Sequence, residues 1–493
     1  MLLYTIDFIA LAPEIFLTFL IHCILLFGVI CTSSSHLNYP ILLSNITWLS
    51  LQTLVFVFLL IILNPLSHVF CFNKMLLIDN FSLFIKSILV LTFIITLLVS
   101  LKYNYIEKIN VFELIILFLL AVLGLLLLVS AYNFISLYLA LELQSFCLYI
   151  LAAINRNSEF STEAGLKYFV LGAFFSGLLL FGFSLIYGFS GVSDYGGLQQ
   201  FLLISSRNTY TITSITIASI FIISAFLFKL SAAPFHIITP DIYEGSSTSV
   251  SAFFAIVPKI SILVILTKFL FISFYNDVYI FCQALLIVVS LLSILFGTFS
   301  ALTQYKIKRL FAYSTVSHIG FILIGLCCGS EEGIAASYFY ILVYIITTII
   351  CFTLLLSIFT KRNLLRFYYI KDFLSLTRAN PGATFITTIT FFSIAGIPPL
   401  AGFFSKMLIF MMALLSNFYL LAFIAIISSV ISCFYYIRII RSVYFDVSYL
   451  WLNFCRFERE NSIILVLCSF LLILLGIFPT SFLYIISNEI TII

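Results

Sequence analysis

The chain has 493 residues, of which 63% are hydrophobic and only 9% charged, where a soluble domain carries about 25% charged residues. Apolar windows of about 20 residues recur from end to end, so the bilayer is the solvent and a soluble domain with a single anchor is excluded. The net charge is +4, and the placement of the basic residues accounts for it without nucleic-acid binding.

Fourteen spans are predicted, near 9–31, 41–63, 80–100, 111–130, 132–153, 165–189, 213–235, 248–272, 277–301, 309–328, 332–358, 384–415, 418–442 and 463–485. The fourth and fifth separate only at the polar "SAYN", 130–133. An even count puts both termini on one side. Alternate loops hold Lys102, Lys108, Arg156, Lys306, Lys308, Arg309, Lys361, Arg362, Arg366, Lys371, Arg378, Arg438, Arg441, Arg456 and Arg459. The opposite loops hold only Lys74 and Arg207. Basic loops stay inside, so both termini are expected outside, in an intermembrane space or periplasm.

Eleven cysteines are scattered singly apart from Cys327-Cys328, and five histidines lie far apart. No C-x-x-C, metal-ligand spacing or disulfide framework is present in the sequence. Nor is there a G-x-G-x-x-G, a P-loop, a haem motif or a removable signal before the first apolar stretch. Redox chemistry is therefore expected in partner subunits, with no cofactor in this chain. The abundance of Phe (57 residues) and Ile suggests an AT-rich genome, as in organelles.

Two spans are broken. The seventh carries "KLSAAPFH", and the twelfth carries "AGIPPLAGFFSK", in which Gly396, Pro398, Pro399 and Gly402 precede Lys406. Taking spans four to eight and nine to thirteen as two units, Pro234 falls 123 residues into the first and Pro398 falls 121 into the second. Five helices is an odd number, so the second unit must be inverted relative to the first. Inverted repeats with a discontinuous helix at matching positions are a transporter pattern, with the working site at the breaks. The freed backbone carbonyls at such breaks need water or polar neighbours.

Seven charges stay within spans: Lys86, Glu142, Lys167, Lys229, Lys259, Lys268 and Lys406. Lys86 and Lys268 lie close enough to an interface for a four-carbon stem to snorkel, and that is the reading given to both. Lys167, one turn after Glu163, fits either an interfacial ion pair or a working charge. Glu142 is the midpoint of span five. Lys229, Lys259 and Lys406 have small residues nearby (Ala225, Ala255 and Gly402), which leave room for a neighbouring helix or water. Three deep lysines facing one deep carboxylate cannot all be satisfied by static pairing. Lysine is also the cation whose protonation responds to burial, and no arginine sits mid-span. His236 follows the break in span seven and His318 lies mid-way along span ten; each is either a relay group or a structural histidine.

A row of Glu, Lys, Lys, His and Lys at similar depth can pass protons along the membrane plane. Two charges about 4 Å apart interact by roughly 4 kcal/mol at an effective dielectric of about 20. Moving one charge against ~180 mV costs about 4 kcal/mol. Making and breaking a Lys229–Glu142 ion pair is thus on the scale of one pumped proton.

The stretches "ALELQSFCLYILAA", "SEFSTEAGLKYFVLGAFFSGLLLFG", "KLSAAPFHIITPDIYEG", "IKRLFAYSTVSHIGFILIG" and "SIAGIPPLAGFFSKMLIF" closely resemble the subunit 2/N family of antiporter-like membrane subunits of NADH:ubiquinone oxidoreductase (complex I). The resemblance runs through roughly residues 110 to 445. It implies an all-α polytopic membrane protein of about 14 transmembrane helices with two inverted five-helix repeats, each with a broken helix. The expected division is 1–110 for three N-terminal helices, 111–272 for the first repeat, 273–442 for the second and 443–493 for a C-terminal helix. It further implies a proton-translocating role for Glu142, Lys167, Lys229, Lys259 and Lys406, with His236 and His318 as candidates beside them. NADH, FMN, iron–sulfur clusters and ubiquinone would belong to the rest of the complex. The implied partners are other membrane-arm subunits, of the subunit 4 and subunit 4L types, together with lipids. The implied location is the mitochondrial inner membrane, with both termini on the intermembrane-space side. One departure is that Ile238, Ser247 and Ser249 stand where the family often has Trp, Pro and Pro, just before span eight.

Two other classes of function fit the same architecture. A monovalent cation/proton antiporter subunit would lack flavin and iron–sulfur partners. A structural scaffold without transport would need Glu142 and Lys406 for assembly only.

Overall fold

The computed structural model describes residues 2–31, 43–107, 109, 111–205, 209–274, 277–357, 368–374, 376–446 and 457–490. Among the loop charges, Lys108, Arg207, Lys361, Arg362, Arg366 and Arg456 lie outside these residues. The helices run in chain order as α1 (Leu2–Ala10), α2 (Ala12–Cys31), α3 (Leu43–Ile62), α4 (Asn80–Ile106), α5 (Glu113–Ser130), α6 (Phe134–Ala152) and α7 (Glu159–Ser190). They continue as α8 (Tyr195–Ser205), α9 (Thr209–Leu230), α10 (Thr239–Gly245), α11 (Thr248–Lys268), α12 (Asp277–Leu302), α13 (Ile307–Cys327) and α14 (Glu331–Ser357). The last are α15 (Leu376–Ala379), α16 (Pro381–Ala395), α17 (Ala401–Leu415), α18 (Tyr419–Tyr444), α19 (Arg459–Ile477) and α20 (Pro479–Ile490). Among the described residues, thirteen helices are long and apolar enough to cross a membrane, and the shorter pair α16 and α17 fills the stretch expected as the twelfth span.

Local chemistry sets the ends. Asn133 caps α6 by accepting from the Ile135 amide, and so separates the two nearly fused spans at "SAYN". Asn380 caps α16 in the same way, with Pro381 in its first turn. Gly396, at φ 89°, closes α16 in the left-handed region that favours glycine. Gly402 lies against the Ser393 carbonyl, where a Cβ would collide, so α17 can cross close to α16.

The last expected span differs from the reading. Proline cannot continue the helical hydrogen-bond ladder, so α19 stops at Ile477 and Pro479 begins a separate helix, α20, packed on α14, α4 and α19. A small hairpin, Val69–Cys71 paired antiparallel with Leu76–Ile78, also escaped the reading. It covers the end of α5 through the Tyr132 amide, which donates to the Met75 carbonyl.

The snorkelling assigned to Lys86 and Lys268 is corrected by the packing. Lys86 is 1% exposed and pairs at 2.5 Å with Glu14 of α2. Lys268 is 2% exposed and donates to the Val129 carbonyl at 2.9 Å. Glu14 of α2 holds the first side chain and the end of α5 the second, so both amines are enclosed within the bundle. Lys308, counted as a loop charge, is also buried.

The centre of the molecule is α11, all 21 of whose residues are buried. It packs against α4 and α14, and α13, buried except at Arg309 and Tyr313, packs against α14. Helices apolar on every face belong inside a bundle. These three central helices, α11, α13 and α14, carry the polar groups that matter next.

Candidate proton-transfer site

The first broken span is α9, the turn 231–238 and α10. α9 ends one residue after Lys229, and Ser231 turns the chain with φ 68°. Lys229 Nζ donates to the Tyr149 hydroxyl at 3.2 Å and lies 5.4 Å from that ring's centroid. Tyr149, Ser145 and Glu142 share one face of α6. The Tyr149 hydroxyl meets the Ser145 side chain, and Ser145 Oγ donates to Glu142 Oε2 at 3.3 Å. The expected direct Lys229–Glu142 ion pair is therefore absent among the described residues. Hydroxyls occupy the gap instead, because Lys229 of α9 meets α6 at Tyr149, seven residues beyond Glu142.

Lys229 and Lys259 line one cavity of about 50 Å³, together with Gln144, Ser231, Thr239 and Tyr243. A water needs about 10–15 Å³ of such volume, so the cavity admits water between the two amines. Gln144 Oε1 and Ser231 Oγ are buried without a hydrogen-bond partner among the described residues, and water there would satisfy them.

Lys259 follows Pro258 inside α11. Its amine donates to the Tyr344 hydroxyl at 3.2 Å and faces the rings of Tyr344 and Tyr243 at 5.4 and 5.8 Å. Tyr344 in turn donates to the Ala255 carbonyl. Its ring lies 5.7 Å from that of His318. His318 bridges two hydroxyls, with Nδ1 2.7 Å from Tyr340 and Nε2 3.2 Å from Tyr436. A neutral imidazole can donate at one nitrogen and accept at the other. The charges of both Lys259 and Lys406 reach it.

Lys406 closes the second break. The last four carbonyls of a helix lack intrahelical partners. In α16 the amides of Gly396 and Ile397 take the Phe392 and Ser393 carbonyls. Lys406 Nζ donates to the other two, Ile394 and Ala395, each at 2.9 Å. The break and the lysine are thus one unit: the amine caps the helix that the Gly-Ile-Pro-Pro turn interrupts.

Two candidates stand apart. Lys167 is exposed on the face of the basic loops, paired with Glu163 at 2.7 Å and Asp241 at 3.1 Å. Asp241 also meets Arg309, and Glu244 binds both Arg309 and Lys306, so α10 is held by a strip of ion pairs. His236 stacks on Phe296, with its Nδ1 buried and unpartnered. Among the described residues no hydrogen bond joins it to the row. Ser247 stands at the N-cap of α11 and Ser249 in its first turn, with α10 helical just before them.

The tyrosines Tyr149, Tyr243, Tyr340, Tyr344 and Tyr436 were missed from sequence. With 27 tyrosines in the chain, none stands out by composition. The available signal is helical spacing, since Tyr149 lies seven residues after Glu142 and Tyr344 four after Tyr340, each pair on one face.

A polytopic helical bundle with lysines and a histidine buried along its middle and two helices broken beside them is the architecture of a membrane ion-translocating subunit. The family described as NADH:quinone oxidoreductase/Mrp antiporter transmembrane region matches residues 131–432. NADH-ubiquinone oxidoreductase chain 2 of Marchantia polymorpha is 42% identical over 96% of both chains. NADH-quinone oxidoreductase subunit N of Pelagibacter ubique is 38% identical over 97% of this chain and 98% of its own. A chain of respiratory complex I from Thermus thermophilus superposes with a TM-score of 0.78 at 25% identity, covering 96% of this chain and 98% of its own. The chain belongs to the NADH:quinone oxidoreductase/Mrp antiporter family, in its chain 2/subunit N branch.

Proposed function

We infer that this chain is the proton-translocating, antiporter-like membrane-arm subunit of a respiratory NADH:ubiquinone oxidoreductase. Relatives of that name, aligned over nearly the whole chain, support the reading. The observation that carries the mechanism is the polar row through the central helices. Contacts run from Glu142 through Ser145 and Tyr149 to Lys229, across the cavity to Lys259 and on to Tyr344, whose ring lies 5.7 Å from that of His318; the reading extends the row from His318 to Lys406. In this reading the five charged or titratable groups hold the proton in turn, and the hydroxyls and water between them carry it. Lys167 steadies α10 at the basic face, and His236 stands beside the break.

The chain is a mitochondrial multi-pass membrane protein on this reading, set in the inner membrane. Both termini face the intermembrane space and the basic loops face the matrix. The breaks at α9/α10 and α16/α17 support two inverted repeats, 111–272 and 273–442, flanked by the three long helices α2–α4 in 1–110 and by α19 and α20 in 443–493. NADH oxidation and quinone reduction take place in other subunits, which supply FMN and iron–sulfur clusters. The neighbours in the membrane arm are subunits of the 4 and 4L types.

The test is proton pumping by the complex in liposomes with NADH oxidation followed at the same time. Lys229→Ala should lower the number of protons moved per NADH while the complex still assembles. An unchanged ratio would refute the proposed path. Purification of the chain without flavin and iron–sulfur subunits would favour a cation/proton antiporter instead.

A further inference from the structure

We propose that Lys308 is a proton-uptake group on the basic face, standing between a water-filled cavity and the buried row at Lys259. The proposal rests on the proton-translocating reading above and extends it to a residue that sequence placed in a loop. Lys308 begins α13 and is only 9% exposed. Its amine donates to the Ser246 carbonyl, the residue that ends α10, at 2.8 Å.

One side of Lys308 faces a cavity with room for water. A cavity of about 380 Å³ is lined by Asn155, Ser158, Glu244, Ser246, Lys306 and Lys308. That is room for many waters at about 10–15 Å³ each. Asn155 belongs to the same loop as Arg156, and Lys306 leads into α13, so the cavity lies among the basic loops. Ser246 Oγ is buried there with no partner among the described residues, and water in the cavity would satisfy it. Among the described residues no carboxylate pairs with Lys308; Glu244 binds Lys306 and Arg309.

The other side leads to the row. Thr315 lies seven residues further along α13, about 10 Å away on the same face. Its side chain meets Tyr243, whose ring lies 5.8 Å from Lys259 Nζ. Tyr243 is one turn before Ser246, so α10 offers both ends of the route. The step is a simple transfer. The neutral amine of Lys308 takes a proton that cavity water relays from the bulk at the basic face, the water regaining its own proton from behind, and the ammonium gives it up toward the Tyr243–Thr315 pair. The neutral amine of Lys259 then accepts it, leaving Lys308 as it began.

The experiment compares Lys308→Met and Lys308→Arg in the assembled complex, reading protons moved per NADH and assembly. Arginine keeps the cation and the hydrogen bond to Ser246 but does not release its proton. Both variants are expected to assemble and to show the same fall in the ratio as Lys229→Ala. A wild-type ratio in either variant overturns the proposal, and so does loss of assembly in both, which marks a structural cap. Lys229→Ala is measured alongside. A wild-type ratio there sinks the proton-translocating reading itself, whereas a fall there with normal Lys308 variants sinks only the role of Lys308.

Discussion

Replacing Tyr149 by Phe should impair proton translocation while leaving the fold intact. The substitution removes one oxygen. The ring stays in its edge-on contacts with Tyr168 and Phe169, at 4.7 and 5.8 Å, and stays beneath Lys229 at 5.4 Å. Packing is therefore kept, and the hydrogen bond from Lys229 at 3.2 Å is lost. A hydrogen bond to a charged group contributes about 1.5–3 kcal/mol, which is roughly ten- to a hundredfold in a rate or a population. The loss falls on the one link between Lys229 and the Ser145–Glu142 pair. In liposomes, Tyr149→Phe should lower either NADH turnover or protons moved per NADH by at least several-fold. Normal values of both at normal assembly would refute the hydroxyl relay. A second variant reaches the same atom from the other side. A Cβ at Gly172 of α7 would collide with the Tyr149 hydroxyl, so Gly172→Ala should reproduce the defect without altering any titratable group.

Three further outcomes are expected. Lys406→Met leaves the Ile394 carbonyl without its amine, at about 1–3 kcal/mol, and the Ala395 carbonyl with only the Cys433 thiol; thermal unfolding of the assembled complex should show a less stable subunit, and an unchanged midpoint would count against the capping role. Lys86→Met strands the Glu14 carboxylate in the interior, a change that costs about 3–5 kcal/mol. Assembly should fall, and the double change with Glu14→Gln should recover much of it; if it recovers none, the pair is not the cause. For sidedness, an impermeant thiol reagent applied from the intermembrane space should label Ile204→Cys and not Tyr305→Cys, both of which are exposed. The opposite labelling would invert the proposed orientation.

How far the sequence could be read follows from which contacts are local. Span positions were legible because they depend on runs of apolar residues, and the breaks because Pro234 and Pro398-Pro399 act within their own helices. Lys86 and Lys268 were misread because depth was judged by distance from a span end, while their cover comes from elsewhere. Glu14 is 72 residues from Lys86, and Val129 is 139 from Lys268. Lys308 was taken for a loop charge for the same reason, since α10 buries it from 62 residues away. The direct Lys229–Glu142 pair was a fair guess from charge alone, yet Tyr149 reaches Lys229 from 80 residues away. Pro479 and the helical spacing of Tyr149 with Glu142 are local signals that were passed over.

The partners of the deep amines explain how three lysines can share one deep carboxylate. Lys229 and Lys259 rest on tyrosine hydroxyls, and Lys406 rests on two backbone carbonyls. The ion pairs are set elsewhere: Glu163, Asp241 and Glu244 at the basic face, and Glu14 under the N-terminal helices. A carboxylate about 4 Å away would hold an ammonium by roughly 4 kcal/mol at an effective dielectric of about 20. That is as much as ~180 mV does to one charge, so a row of such pairs would trap the proton it is meant to pass. A hydroxyl or carbonyl serves the ammonium as acceptor at about 1.5–3 kcal/mol, and a hydroxyl can also donate to the neutral amine once the proton has gone. Neutral partners at Lys229 and Lys259, with the carboxylate held one tyrosine and one serine away at Glu142, make the row one that a modest shift in α6 or α9 can load or empty.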